Sequence, residues 1–129
     1  MTASSALKAP DDTDILAGLR VLLVEDEGLV ALDAELILED LGMEMIACCS
    51  SLEDGMRMAR IAEIEVAMLD VNLRGKPSYP IAEVLDARGV PFIFTTGYDA
   101  MGWGKPAVTV AKPYRVETIR DAMVSIVAR

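Results

Sequence analysis

A doubly wound α/β fold, with five βα units around one parallel sheet, is predicted for this 129-residue chain by two observations. Short apolar runs alternate with stretches of helical spacing, which is the order of βα units rather than of a sandwich or a bundle. Four of those runs also end in polar residues. Glu25 and Asp26 follow Val21-Leu22-Leu23-Val24, Asp70 follows Val66-Ala67-Met68-Leu69, Thr96 closes the run begun by Phe92-Ile93-Phe94, and Lys112 follows Val108-Thr109-Val110-Ala111. Parallel strands bring their carboxyl ends to one edge, so these five side chains converge on the crevice where open α/β sheets bind ligands. Three carboxylates, a hydroxyl and an ammonium suit a divalent cation and a phosphoryl group far better than a core.

Residues 1–18 are polar and weakly patterned, with Ser4-Ser5, Pro10 and Asp11-Asp12-Thr13-Asp14, and read as a flexible arm in which Ile15 and Leu16 are candidates to dock. The domain proper is expected over residues 19–129. Residues 20–25 read as a buried strand, and Leu29, Leu32, Leu36 and Ile37 carry helical spacing until Gly42 stops it. Met45 to Cys49 is a second strand, and Ser50 or Ser51 caps a helix through Met56 and Ala59 to about Ala62. Val66 to Val71 is a third strand, followed by an irregular loop from Asn72 to Ser78 and a helix from Tyr79 or Pro80 to Arg88, ended by Gly89. Pro91 opens the fourth strand. The fifth, about Ala107 to Ala111, leads through Lys112-Pro113 to a last helix, about Val116 to Ala128, whose apolar face is Ile119, Met123, Ile126 and Val127.

The fourth connection breaks the pattern. Gly97 to Pro106 contains three glycines besides its proline, which leaves room for one helical turn at most and predicts a shortened or irregular fourth helix. Trp103 lies inside it between glycines, either as a local plug or as a contact for a partner.

The chain is of single-domain length and is 53% hydrophobic, enough for a proper core. No apolar stretch approaches the roughly 20 residues that span a bilayer, and the start lacks the blocks of a signal peptide, so a cytoplasmic protein away from membranes is expected. A net charge of −9, from 12 Lys+Arg against 21 Asp+Glu, disfavours nucleic acid and points to a protein partner. Cys48 and Cys49 are adjacent, so they offer neither a disulfide framework nor a metal-ligand spacing. Histidine is absent, which removes the usual general base and leaves phosphoryl chemistry to a carboxylate.

Acidic residues at one strand end, or a Lys-Pro turn, are each common without function. Asp70 is sharper, because it closes a strand that should be central, where an unpaired carboxylate is costly. In order and placement, Glu25-Asp26, Asp70, Thr96 and Lys112-Pro113 resemble the signature of bacterial response-regulator receiver domains, the phosphoaccepting half of two-component signalling, over roughly Arg20 to Arg129. The resemblance implies a flavodoxin-like sheet of strand order 2-1-3-4-5. It makes Asp70 the phosphoacceptor served by Thr96 and Lys112. It also implies Mg²⁺ held by Asp26, Asp70 and the backbone carbonyl of Asn72, with Glu25 acting through water, and a cis Lys112-Pro113 bond.

Receivers of the common pattern carry Tyr or Phe three residues before the lysine; here that position is Thr109. Phe94-Thr95-Thr96-Gly97-Tyr98 and Lys112-Pro113-Tyr114 resemble instead the subgroup named for its Phe-Ala-Thr-Gly-variable-Tyr motif, with Thr95 in place of Ala and the tyrosine one place early. Members of that subgroup are often stand-alone receivers served by histidine kinases of the HWE or related type. Tyr98, Trp103 and Tyr114 are the switch or partner candidates. The expected function is therefore a single-domain response regulator with no output domain. It would accept a phosphoryl group from a histidine kinase and bind a downstream partner, or pass the group to a phosphotransfer protein, without being an enzyme toward other substrates. The alternatives are a degenerate receiver used as a binding module and an Mg²⁺-dependent phosphohydrolase. The latter is disfavoured because Asn72 stands where such enzymes place a second aspartate.

Overall fold

The computed structural model describes residues 15–97 and 102–128. Eleven elements follow in chain order: β1 (Arg20–Val24), α1 (Gly28–Asp40), β2 (Glu44–Cys49), α2 (Leu52–Ile61), β3 (Val66–Asp70), β4 (Asn72–Leu73), β5 (Lys76–Pro77), α3 (Tyr79–Arg88), β6 (Phe92–Thr96), β7 (Thr109–Ala111) and α4 (Val116–Val127). Five strands form one parallel sheet in the order β2-β1-β3-β6-β7, the expected topology, with the strand order reversing beside β1 and β3.

Alternation along the strands builds two cores. Val21 and Leu23 of β1, Val66 and Met68 of β3, and Ile93 of β6 face α1 and α4; Leu22, Val24, Ala67, Leu69 and Phe94 face α2 and α3. β3 is buried at every position, as a strand covered on both faces must be. On the second face Gly55 of α2 lets the helix approach closely, since a Cβ there would lie 2.5 Å from Ile81 Cδ1. Ser51 caps α2 by accepting from the Asp54 amide at 3.2 Å, and the Arg88 guanidinium donates to the carbonyls of Ala59 and Ala62 at its far end. Among the described residues no helix is long and apolar enough to cross a membrane.

Four local expectations differ from what the structure has. The boundary at residue 19 falls late: Leu16, named as a candidate to dock, does so and is fully buried in the first core. On α1 the leucines of the periodic stripe face outward: Leu29 is 84% exposed, Leu32 50% and Leu36 57%. The helix is apolar on most sides, and its inward face is Ala31, Ala34, Ile37 and Leu38, whose small alanines allow a close approach to the sheet. The third difference is β7, which begins at Thr109 rather than near Ala107; the described residues between β6 and β7 contain no helix.

The fourth is the loop after β3, which is a two-stranded hairpin closed by Arg74-Gly75. Both turn residues have positive φ, 52° and 85°, the combination a type I′ turn demands. Asn72 Oδ1 accepts from the Gly75 amide at 2.7 Å and supports the turn. Arginine is a costly residue for that backbone and asparagine a favourable one, so Arg74→Asn should raise stability by about 0.5–1 kcal/mol in urea denaturation. Unchanged or lower stability would mean that the Arg74 side chain compensates for its backbone.

Candidate functional site

The parallel ladder carries the five residues to one edge. Just past their strands, the Glu25 amide donates to the Cys49 carbonyl at 2.9 Å, that of Val71 to Thr95 at 3.0 Å and that of Lys112 to Thr96 at 3.0 Å, so backbone pairing holds each strand end in place. Asp26, Asp70, Asn72, Thr96 and Lys112 line one cleft of about 270 Å³, and Glu25 lies beneath them at 1% exposure. A larger cavity of about 580 Å³ opens at the opposite end of the strands, beside Leu19, Pro91, Phe92 and Val108, away from this chemistry.

Lys112 organises the carboxylates. Its Nζ donates to Asp70 Oδ2 at 2.8 Å and lies 2.9 Å from Glu25 Oε1, one cation shared by two buried anions. Burial opposes the charged ammonium, but its hydrogen bonds to Asp70 and Glu25 outweigh that and raise its pKa, so it stays a fixed positive charge. The same burial raises the pKa of Glu25, against the lowering effect of its bonds to Lys112 and the Glu27 amide. Glu25 Oε2 accepts from that amide at 3.1 Å, Asp70 Oδ1 from the Asn72 amide at 3.1 Å and Asp26 Oδ2 from the Arg74 amide at 2.8 Å. Every carboxylate is thus aimed by a backbone donor on a neighbouring turn.

Glu25, Asp26 and Asp70 offer carboxylate oxygens within 4.8 Å of one another. Such a hard, all-oxygen set fits Mg²⁺, which takes few protein ligands and keeps several waters. Like charges at that spacing repel, so Asp26→Asn should stabilise the metal-free protein by about 1 kcal/mol while weakening its Mg²⁺-dependent rise in melting temperature. A fall in the metal-free melting temperature would mean that the Asp26 carboxylate is held by more than its neighbours cost it.

The remaining candidates separate. Trp103 is 9% exposed, with its ring against Tyr79, Phe92 and Phe94 at centroid distances of 5.7–6.0 Å, so it packs as a plug of the second core and also borders the 580 Å³ cavity. Tyr98 lies outside the described residues. Thr109, at the position where common receivers carry an aromatic, is exposed on β7. Tyr114 is buried with its hydroxyl 3.1 Å from Glu25 Oε1, a link that no spacing in the sequence announced. Sequence reasoning also missed the Glu27 and Arg74 amides; Gly75 was the part of a turn signal available for the second. The Lys112-Pro113 bond is cis.

No family model matches the sequence, and no curated protein matches it. Solved structures do resemble it. The response regulator PhyR from Brucella abortus superposes with a TM-score of 0.79 at 19% identity, over 99% of this chain and 53% of that one. The receiver domain of a sensor histidine kinase from Pseudomonas aeruginosa, with a magnesium ion coordinated in its active-site cleft, gives 0.77 at 21% identity, over 88% of this chain and 100% of that one. A response regulator receiver protein from Sinorhizobium medicae gives 0.77 at 24%, over 86% and 95%. The chain spans about half the length of the PhyR chains from Bartonella quintana and Brucella abortus that it matches, and 92% of a PhyR receiver domain from Erythrobacter litoralis. Sheet order and superposition together establish that this chain has the fold of response-regulator receiver domains.

Proposed function

We propose that this chain is a phosphoacceptor receiver that takes a phosphoryl group from a histidine kinase onto Asp70 with Mg²⁺. The observation that carries this reading is Lys112 Nζ, held 2.8 Å from Asp70 Oδ2 and 2.9 Å from Glu25 Oε1. A partly buried ammonium bridging two buried anions costs desolvation, and it is suited to a site where further negative charge arrives.

An oxygen of Asp70 attacks the phosphorus of a phosphohistidine, the P–N bond breaks, the leaving imidazole takes a proton, and an aspartyl phosphate remains. The Asn72 amide on Oδ1 and Lys112 on Oδ2 fix the attacking carboxylate. Lys112 then serves a phosphoryl oxygen, and the Thr96 hydroxyl, at the cleft wall, serves another. When bound, Mg²⁺ would supply positive charge that offsets the repulsion between the two anions and polarises the phosphoryl oxygens. Asp26 and Asp70 would hold it, with the Asn72 carbonyl and, through water, Glu25.

The motif around Thr96 and the glycine-rich fourth connection favour the Phe-Ala-Thr-Gly-variable-Tyr subgroup, and with it a kinase of the HWE or related type. A downstream protein or a phosphotransfer protein would read or drain the phosphoryl group in the cytoplasm. Turnover of other phosphate esters is not part of this reading, because Asn72 has its side-chain oxygen tied to the Gly75 amide and offers no acid or base.

Intact-mass spectrometry after incubation with acetyl phosphate tests it. One hydroxylamine-sensitive phosphoryl group should appear on wild type only when Mg²⁺ is present, and none on Asp70→Ala. An unlabelled wild type, with acetyl phosphate, phosphoramidate and a family kinase alike, would move the chain to the binding-module reading.

A further inference from the structure

Tyr114 sits two positions past Lys112, in the turn that leads to α4, yet its hydroxyl belongs to the site. It lies 3.1 Å from Glu25 Oε1 and 3.3 Å from Thr95 Oγ1. Tyr114 is 9% exposed and Glu25 and Thr95 are 1% each, so water does not replace these contacts if they are lost. The phenol has one proton. The carboxylate, which can only accept, takes it, and the Thr95 hydroxyl donates to the phenol oxygen in turn. Burial raises the pKa of Tyr114, so the proton stays on the phenol.

The adjacent threonines divide the work by strand parity. Thr96 lines the cleft, whereas Thr95 points to the opposite face of the sheet, where Tyr114 packs with Ile93, Val110 and Ile119. Thr95 stands where the subgroup motif has an alanine, and its hydroxyl has found Tyr114.

Glu25 Oε1 therefore has two donors, Tyr114 and Lys112, and Lys112 is also committed to Asp70. To serve an arriving phosphoryl oxygen, Lys112 must give up part of that bonding. Whatever Glu25 demands of it opposes the transfer. Tyr114 supplies Oε1 with a donor that does not leave.

Resting on the phosphoacceptor reading above, we propose that Tyr114, steadied by Thr95, is a positioning residue that satisfies Glu25 and so frees Lys112 for the phosphoryl group on Asp70. The role is that of a fixed hydrogen bond beside the reacting atoms, in a chain whose position 109 offers no aromatic for the purpose.

Phosphoryl uptake from acetyl phosphate at saturating Mg²⁺, followed by intact mass, tests it. Tyr114→Phe should label about tenfold more slowly than wild type, the effect of one hydrogen bond to a charged group. In a Glu25→Gln background the neutral amide no longer competes for Lys112, so Tyr114→Phe should there slow labelling by less than about twofold. Equal slowing in both backgrounds is the mark of a packing role and overturns the proposal, as does equal labelling of wild type and Tyr114→Phe. Tyr114→Phe leaves the buried Thr95 hydroxyl without this partner, so Thr95→Val/Tyr114→Phe, which removes both hydroxyls, is the second variant. It should melt near wild type and label about tenfold more slowly. A wild type that takes no label removes the phosphoacceptor reading and this inference with it, whereas a labelled wild type with an unslowed variant removes the inference alone.

Discussion

Lys112→Met should lower the unfolding free energy of the metal-free protein by about 3 kcal/mol, the scale measured when one partner of a buried charge pair is removed. Glu25 and Asp70 are 1% and 5% exposed, and the Lys112 side chain that separates them is only 20% exposed. Methionine keeps the length and apolar stem but leaves two carboxylates facing each other in a partly dry pocket. Three features separate this from a simple packing loss. The deficit should shrink as pH falls toward 5, because protonating one carboxylate removes the repulsion. It should also shrink with millimolar Mg²⁺, which brings its own positive charge. In wild type, the ammonium has a raised pKa, so its contribution is fully present below the ordinary lysine value of 10.5 and is lost only as pH climbs through the higher folded value. Urea titrations of both proteins at acid, neutral and alkaline pH, with and without Mg²⁺, measure all of this. A loss below about 1 kcal/mol that ignores pH would mean that the carboxylates do not depend on Lys112.

The second large effect is expected far from the cleft. Trp103→Ala should cost about 3–4 kcal/mol, because the indole closes the second core against Phe92, Phe94 and Tyr79 and carries Lys105 Nζ 4.9 Å from its centroid. Its removal would merge the space it fills with the neighbouring 580 Å³ cavity, which collapse of a glycine-flanked segment can fill only in part. Trp103→Phe should recover roughly half of the loss, since a smaller ring still meets Phe94. Thermal melts followed by far-UV circular dichroism test it. If Trp103→Ala melts with wild type, the indole is not a plug, and a partner role for that ring reopens.

How much was legible in the sequence follows from where each signal resides. The succession of βα units and the convergence of Glu25, Asp26, Asp70, Thr96 and Lys112 were readable because period-2 and period-3.6 patterns are local and parallel strands share an edge, whereas the strand order came only with the resemblance those residues carry. The inward face of α1 was not readable. Its leucines and alanines alternate around a helix apolar on most sides, and only the sheet decides that Ala31 and Ala34, rather than Leu29 and Leu36, face it. The Asn72–Pro77 hairpin was missed because Arg74 is an unusual residue at positive φ, so the turn lacked its asparagine signal. The bond from Tyr114 to Glu25 joins residues 89 apart, and contacts of that separation leave no trace in spacing.

The central claim is that Asp70, and no other carboxylate, accepts the phosphoryl group. Borohydride reduces an acyl phosphate to an alcohol, which turns a phosphorylated aspartate into homoserine. Peptide mapping after treatment with acetyl phosphate, Mg²⁺ and borohydride should find homoserine at position 70 alone. Homoserine at position 26, or no conversion of a protein that binds Mg²⁺, would contradict the account.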